Sequence, residues 1–162
     1  MRNILLLILL LFFQQYLSAQ QLADTAVLRR NIIFSSDDSL KMDAHLSFGR
    51  YYIDNNNDSS LFHAQKAYLL ALKRKSVHYE AQCLDFMGAV LLRRGNTDQA
   101  LYFLLRALKL FQGLKDSAYL IVTNRNIAGV YKSQSDVERA RQHYYDALQI
   151  RPKAAYDSLF HS

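Results

Sequence analysis

The residues able to do chemistry are scattered along this chain. The five histidines are His45, His63, His78, His143 and His161. None forms the i, i+4 pair with an intervening glutamate through which a helix holds a hydrolytic zinc ion. The lone cysteine, Cys83, has no partner for an internal disulfide and no histidine close in sequence. Its helix-forming neighbours make it a small buried hydrophobe. The five glycines are too dispersed to cradle a phosphate. The acidic run from Asp54 to Ser60 resembles a calcium loop only loosely. Ser59 stands at the turn-glycine position and Gln65 at the far carboxylate position. Asp85, Asp98, Asp116, Asp136 and Glu138 are placed at helix ends or on solvated faces, with no paired carboxylates set for acid–base work. No catalytic residue, metal site or cofactor is expected, and the chain is not read as an enzyme.

The elements that carry these residues are helical. Pro occurs once and Gly five times in 162 residues, which disfavours an all-β chain full of tight turns. The net charge of +6 can serve nucleic acid, an anionic membrane surface or an acidic partner. The charges are dispersed along helical faces, which fits a soluble protein with a basic surface.

The N-terminus has a separate purpose. Met1-Arg2-Asn3 is basic, Ile4 to Phe13 is an unbroken apolar run, and Leu17-Ser18-Ala19 brings small residues. That is the layout of a secretory signal, with cleavage expected after Ala19. The apolar run is about half of the roughly 20 residues a spanning helix needs. The chain is therefore expected to be exported, to the periplasm or beyond the cell. The alternative is an inner-membrane anchor through residues 4–17.

After this leader (1–19), residues 20–38 are expected to form a capping helix and linker. Leu22, Ala26, Val27 and Ile33 make its apolar face, beside a basic patch at Arg29 and Arg30. Apolar residues then recur at helical spacing in three hairpin-like units, 39–77, 78–116 and 117–152. Residues 153–162 read as a C-terminal helix or a truncated repeat. Gly113 is expected to cap one helix at its C-terminus, and Ser135 with Glu138 to form a capping box.

The units share a pattern. Leu84, Met87, Gly88 and Leu91 are followed by Ala100, Leu104 and Ala107. Asn124, Ile127, Ala128 and Tyr131 are followed by Ala140, Tyr144, Ala147 and Pro152. An earlier, blurred copy has Gly49 and Tyr52, then Ala64 and Tyr68, with three extra residues assigned to the Asp54–Ser60 turn. Its Ala64 is aligned with Ala100, 36 residues on. Large-x2-large-small-x2-large, then Ala-x3-aromatic, then Pro, is the pattern of the tetratricopeptide repeat. The chain resembles that family. Its longer spacing is similar to repeats in exported sensor regions of bacterial two-component regulators.

The resemblance implies an all-α fold, a right-handed α-solenoid of about three helix-turn-helix repeats with terminal capping helices. Small residues let paired helices approach, and Tyr52, Tyr68, Tyr131 and Tyr144 are expected in the core or groove wall. It implies a protein or peptide partner, not nucleic acid, with membrane contact only if the leader stays uncleaved. The partner would lie in a concave groove lined by the first helix of each hairpin. Carried over by position, its lining is Leu46 and Arg50, then Asp85, Ala89, Leu92 and Arg93, then Val122, Arg125, Gly129 and Lys132. The expected role is a non-catalytic scaffold of the bacterial envelope, or else the extracytoplasmic sensory part of a signalling protein.

Overall fold

Helix termination and capping set the layout. A computed structural model describes residues 25–150. Helix α1 covers 25–34. It is followed by α2 (Asp38–Tyr52), α3 (Asn57–Lys73), α4 (Val77–Arg93), α5 (Thr97–Leu114), α6 (Ser117–Ser133) and α7 (Val137–Gln149). No strand occurs among the described residues. The leader, residues 20–24, Pro152 and the tail lie outside them.

Each start has a physical cause. Asp37, Asn56, Asn96, Asp116 and Asp136 are N-caps whose side chains accept a backbone N–H from the first helical turn. The caps of α3, α5 and α7 (Asn56, Asn96, Asp136) fall 40 residues apart. That period corrects the alignment of Ala64 with Ala100. Ser60, four residues after its cap as Ala100 and Ala140 are after theirs, is the true counterpart. Ser60 is fully buried, and its hydroxyl donates to the Gly49 carbonyl at 2.8 Å. A small polar residue thus fills an alanine's place because its one polar group is satisfied. The first turn, 53–56, is correspondingly one residue longer than 94–96 and 134–136, rather than three longer.

Four helix ends, those of α3, α4, α5 and α6, close on a residue in the left-handed region: Lys75, Gly95, Lys115 and Ser135. In each, the next N–H reaches back five residues, as from Asp116 to the Phe111 carbonyl at 3.1 Å. Two expectations change here. Gly113 lies inside α5, and Lys115 takes the left-handed position. Ser135 likewise ends α6, and the cap of α7 is Asp136, whose carboxylate accepts from Arg139 N at 3.0 Å and Arg139 Nε at 2.6 Å. Glu138 pairs with Arg141 instead.

The helices pack as consecutive antiparallel pairs: α2 on α3, α4 on α5, α6 on α7. Gly88 makes the middle pair possible. A Cβ there would lie 2.6 Å from Leu104 Cγ and 3.1 Å from the Ala100 carbonyl. A Cβ at Gly49 would meet Phe86 of the next hairpin at 2.5 Å. Leu91, Ala107 and Ala128 are buried beside these contacts. Two apolar cores result, one shared by the first and second hairpins and one by the second and third. No hairpin completes its own core, as a solenoid requires.

The tyrosines divide. Tyr131 is buried, Tyr52 and Tyr68 are half-buried, and Tyr144 is 40% exposed. Tyr144 therefore lies outside the core and, on α7, outside the groove wall as well, the two places where it was expected. It sits on α7, which packs on α6 with no described helix beyond it. Val27 and Ile33 of α1 are also more than half exposed, so this part of the cap does not bury its apolar face.

Candidate partner-binding groove

The first helices of the three hairpins, α2, α4 and α6, start from caps at Asp37, Ser76 and Asp116. Equal distances from these caps mark equivalent positions. Nine residues on lie Leu46, Asp85 and Arg125; thirteen on lie Arg50, Ala89 and Gly129. One open cavity of ≈ 330 Å³ runs across the three helices. Arg50 and Ile53 border it from the α2 side. From α4 come Gln82, Asp85, Phe86, Ala89, Leu92 and Arg93. Tyr119, Val122, Arg125 and Asn126 complete it from α6.

Seven of the residues carried over from sequence thus face one space. Gly129 adjoins it, since a Cβ there would come within 3.1 Å of Leu92 Cδ2. Lys132 is exposed near the end of α6 and does not line it. Leu46 is a correction. It is 1% exposed and belongs to the core shared with α4. The reason is positional: the ninth residue after the cap faces the following first helix. Leu46 is covered by α4, Asp85 by α6, and Arg125, with no further first helix after it among the described residues, is open.

Asp85 is the chemical centre of the cavity and not the solvated carboxylate expected. Asn126 Nδ2 donates to both its oxygens, at 3.3 and 3.4 Å. Burial pushes its pKa above the usual 3.8, opposed by the Thr123 hydroxyl, by Asn126 and by the charges of Arg125 and Arg50. The Thr123 hydroxyl beside it is fully buried and has no partner at hydrogen-bond geometry. Arg50 lies over the Phe86 ring, 5.9 Å from its centroid. Arg93 is tied to Asp54 at 2.6 Å, and Arg94 to Asp58 at 2.9 Å, so the acidic turn bridges to the end of α4. Both pairs are exposed, and each is worth about 0–1 kcal/mol.

The groups with catalytic potential are quiet. Cys83 is fully buried, and burial pushes its thiol up to about 12, which withholds the thiolate. His45 Nδ1 lies 3.0 Å from His63 Nδ1, a bond that requires one ring to donate and the other to accept. His143 Nδ1 lies 2.9 Å from Asn124 Oδ1. No group of three or more metal-ligating side chains occurs among the described residues.

Ile53, Gln82, Phe86, Tyr119 and Asn126 escaped the sequence reading. Gln82 had a signal, since it shares Val122's distance from the cap. Asn126 had none, because its role depends on Asp85, 41 residues earlier.

Residues 79–153 match the model of the tetratricopeptide repeat family. The chain carries tetratricopeptide repeats. Its fold is that of a solved repeat domain, the TPR domain of Arabidopsis FLU, with a TM-score of 0.63 and 19% identity. That match covers 75% of this chain and 99% of the other. No curated protein matches the chain. Tetratricopeptide repeats are protein-binding modules, and the residues of α2, α4 and α6 around Asp85 form one face of this array on which polar and apolar groups converge.

Proposed function

We propose that this tetratricopeptide-repeat protein is a non-catalytic scaffold of the bacterial envelope that holds a segment of a partner polypeptide along its first-helix face. The observation carrying this reading is the cavity spanning α2, α4 and α6. There Leu92, Val122 and Ala89 offer apolar contact between the polar groups of Arg50, Asp85, Asn126 and Arg125. A segment laid across three hairpins meets side chains from each, and that gives an array specificity no single hairpin has. The signal-like leader supports export.

A photo-crosslinking side chain at Ala89, compared with one at Lys109 on α5, tests the site in the native envelope. A discrete partner crosslinked from position 89 and absent from position 109 is the expected result. Crosslinking from 109 alone overturns the groove. Mass spectrometry of the exported chain should show an N-terminus at Gln20; an intact Met1 overturns the processing.

A further inference from the structure

We infer that the middle hairpin binds a small aromatic molecule, in a cavity at the place where each neighbouring hairpin carries a tyrosine ring of its own. In the first hairpin, Tyr52 of α2 stacks on His63 of α3, with ring centroids 5.8 Å apart and planes 11° apart. In the third, Tyr131 of α6 stacks on His143 of α7, at 5.6 Å and 18°. Both tyrosines stand fifteen residues after the cap of their first helix, and both histidines seven after the cap of their second. The middle hairpin has Leu91 and Phe103 at these positions. One ring of the stack is therefore present and its mate is missing. An open cavity of ≈ 540 Å³ lies there, bordered by both residues. A second difference acts the same way. The Arg139 guanidinium covers the Tyr131 ring, 4.5 Å from its centroid, whereas its counterpart Gln99 stands at the cavity's edge.

The lining selects the guest. Met87 and Leu91, both buried, give an apolar floor, and the Met87 thioether suits contact with a ring. Phe103 and Tyr102 stand edge to face, 5.4 Å apart and inclined at 68°. A ring entering the cavity can stack on Phe103 as the tyrosines stack on their histidines, with Tyr102 beside it. An aliphatic guest would fill the space but forgo the stacking. Gln65 of α3 and Asp98 of α5 are the polar groups at the rim, and both are exposed. The Asp98 carboxylate accepts from Gln134 Nε2 at 3.3 Å and has further lone pairs for a donor on the guest. The ligand is thus a compact ring bearing an O–H or N–H group, of the phenol or indole kind. The volume falls in the range of small-molecule sites, about 300–1,000 Å³. The cavity shares no lining residue with the groove, so this inference stands apart from the groove reading.

The test is a titration of the full exported chain with indole. The chain has no tryptophan, so the fluorescence of added indole reports its own binding. Saturable binding at one site is the expected result. Leu91→Tyr restores the ring that the first and third hairpins carry, and should weaken indole by about tenfold or more with helicity unchanged. Gln99→Arg, which copies Arg139, should act in the same direction and carries the test should Leu91→Tyr fail to fold. Lys109→Gln, remote from the cavity lining, should bind as the parent chain does. Absence of saturable binding overturns the inference, as does undiminished affinity in the folded variants. Cyclohexanol binding as tightly as phenol overturns the aromatic assignment. Binding of a tyrosine-bearing peptide, with none of free indole or phenol, overturns the small molecule in favour of a partner's side chain.

Discussion

The outer hairpins and the middle one solve the same packing problem with different chemistry. At one pair of equivalent positions, eight residues into the first helix and seven past the cap of the second, the first hairpin places His45 against His63. The third places Asn124 against His143. The middle hairpin has Leu84 there, buried in the core shared with the first hairpin, and Phe103 packed against that core. The backbone geometry is common to all three. Polar groups are admitted when two can satisfy each other, and each such pair leaves the hairpin titratable where the apolar pair does not.

The largest effect comes from breaking the middle pair. Leu84→Asn places an amide opposite Phe103, which cannot answer it, and removes buried apolar contact. It should cost about 3–5 kcal/mol in urea unfolding. Adding Phe103→His supplies the partner seen in the third hairpin and should recover about 1–2 kcal/mol. No recovery would mean that the polar pairs depend on more than each other.

Acid separates the hairpins next. Burial first, then the charges of His63 and Lys66, lowers the pKa of His45 from 6.5 to about 4, and burial lowers that of His63. Between about pH 6.5 and 4 the unfolded chain takes up protons that the fold refuses, so stability falls as pH falls through that window. The His45 share, discounted for the solvent that still reaches the ring, is about 2 kcal/mol. The double replacement His45→Leu with His63→Phe copies the middle pair and should flatten that decline, read as the urea midpoint against pH. An unaltered decline would locate the acid sensitivity elsewhere.

Asp85 sharpens the contrast inside the middle hairpin, whose one buried acid faces the groove. Its raised pKa means that the fold loses stability as pH rises above 3.8, where the unfolded carboxylate ionises freely. Asp85→Asn should therefore raise the urea midpoint at neutral pH. The gain should vanish as pH falls below 3.8. A destabilised Asp85→Asn at neutral pH would show that the carboxylate is held mainly by its neighbours' charges.

The smallest effects lie at the end of α5. A Cβ at Gly113 meets nothing within 4 Å, so Gly113→Ala should gain about 0.5–1 kcal/mol by thermal melting. Lys115, at φ 54°, should gain a similar amount on replacement by glycine. A loss at either site would contradict the assigned helix end.

Helical class and repeat character were legible because small and large residues recur at helical spacing and the cap residues stand in plain sight. Other features needed the fold. Ser60 hid as an alanine equivalent, since nothing in a sequence says that a hydroxyl will find the Gly49 carbonyl. The left-handed helix ends at Lys75, Lys115 and Ser135 carry no glycine to announce them. Leu46 and Asp85 look like surface positions by analogy with Arg125. They are buried only because another first helix follows each, which is a property of neighbours in space.

The even spacing of the second-helix caps makes the chain a measured tape. The block from Thr97 to Asp136 holds a second helix, a first helix and the cap of the next. Copied in tandem, it would join Asp136 to Thr97 just as Asn96 joins it now. It would also lay a further first helix over Arg125 and open a new terminal position at the copy's own arginine. Length, and with it the reach of the binding face, is therefore a quantity that inheritance or an engineer can alter in whole units while each hairpin keeps its internal contacts.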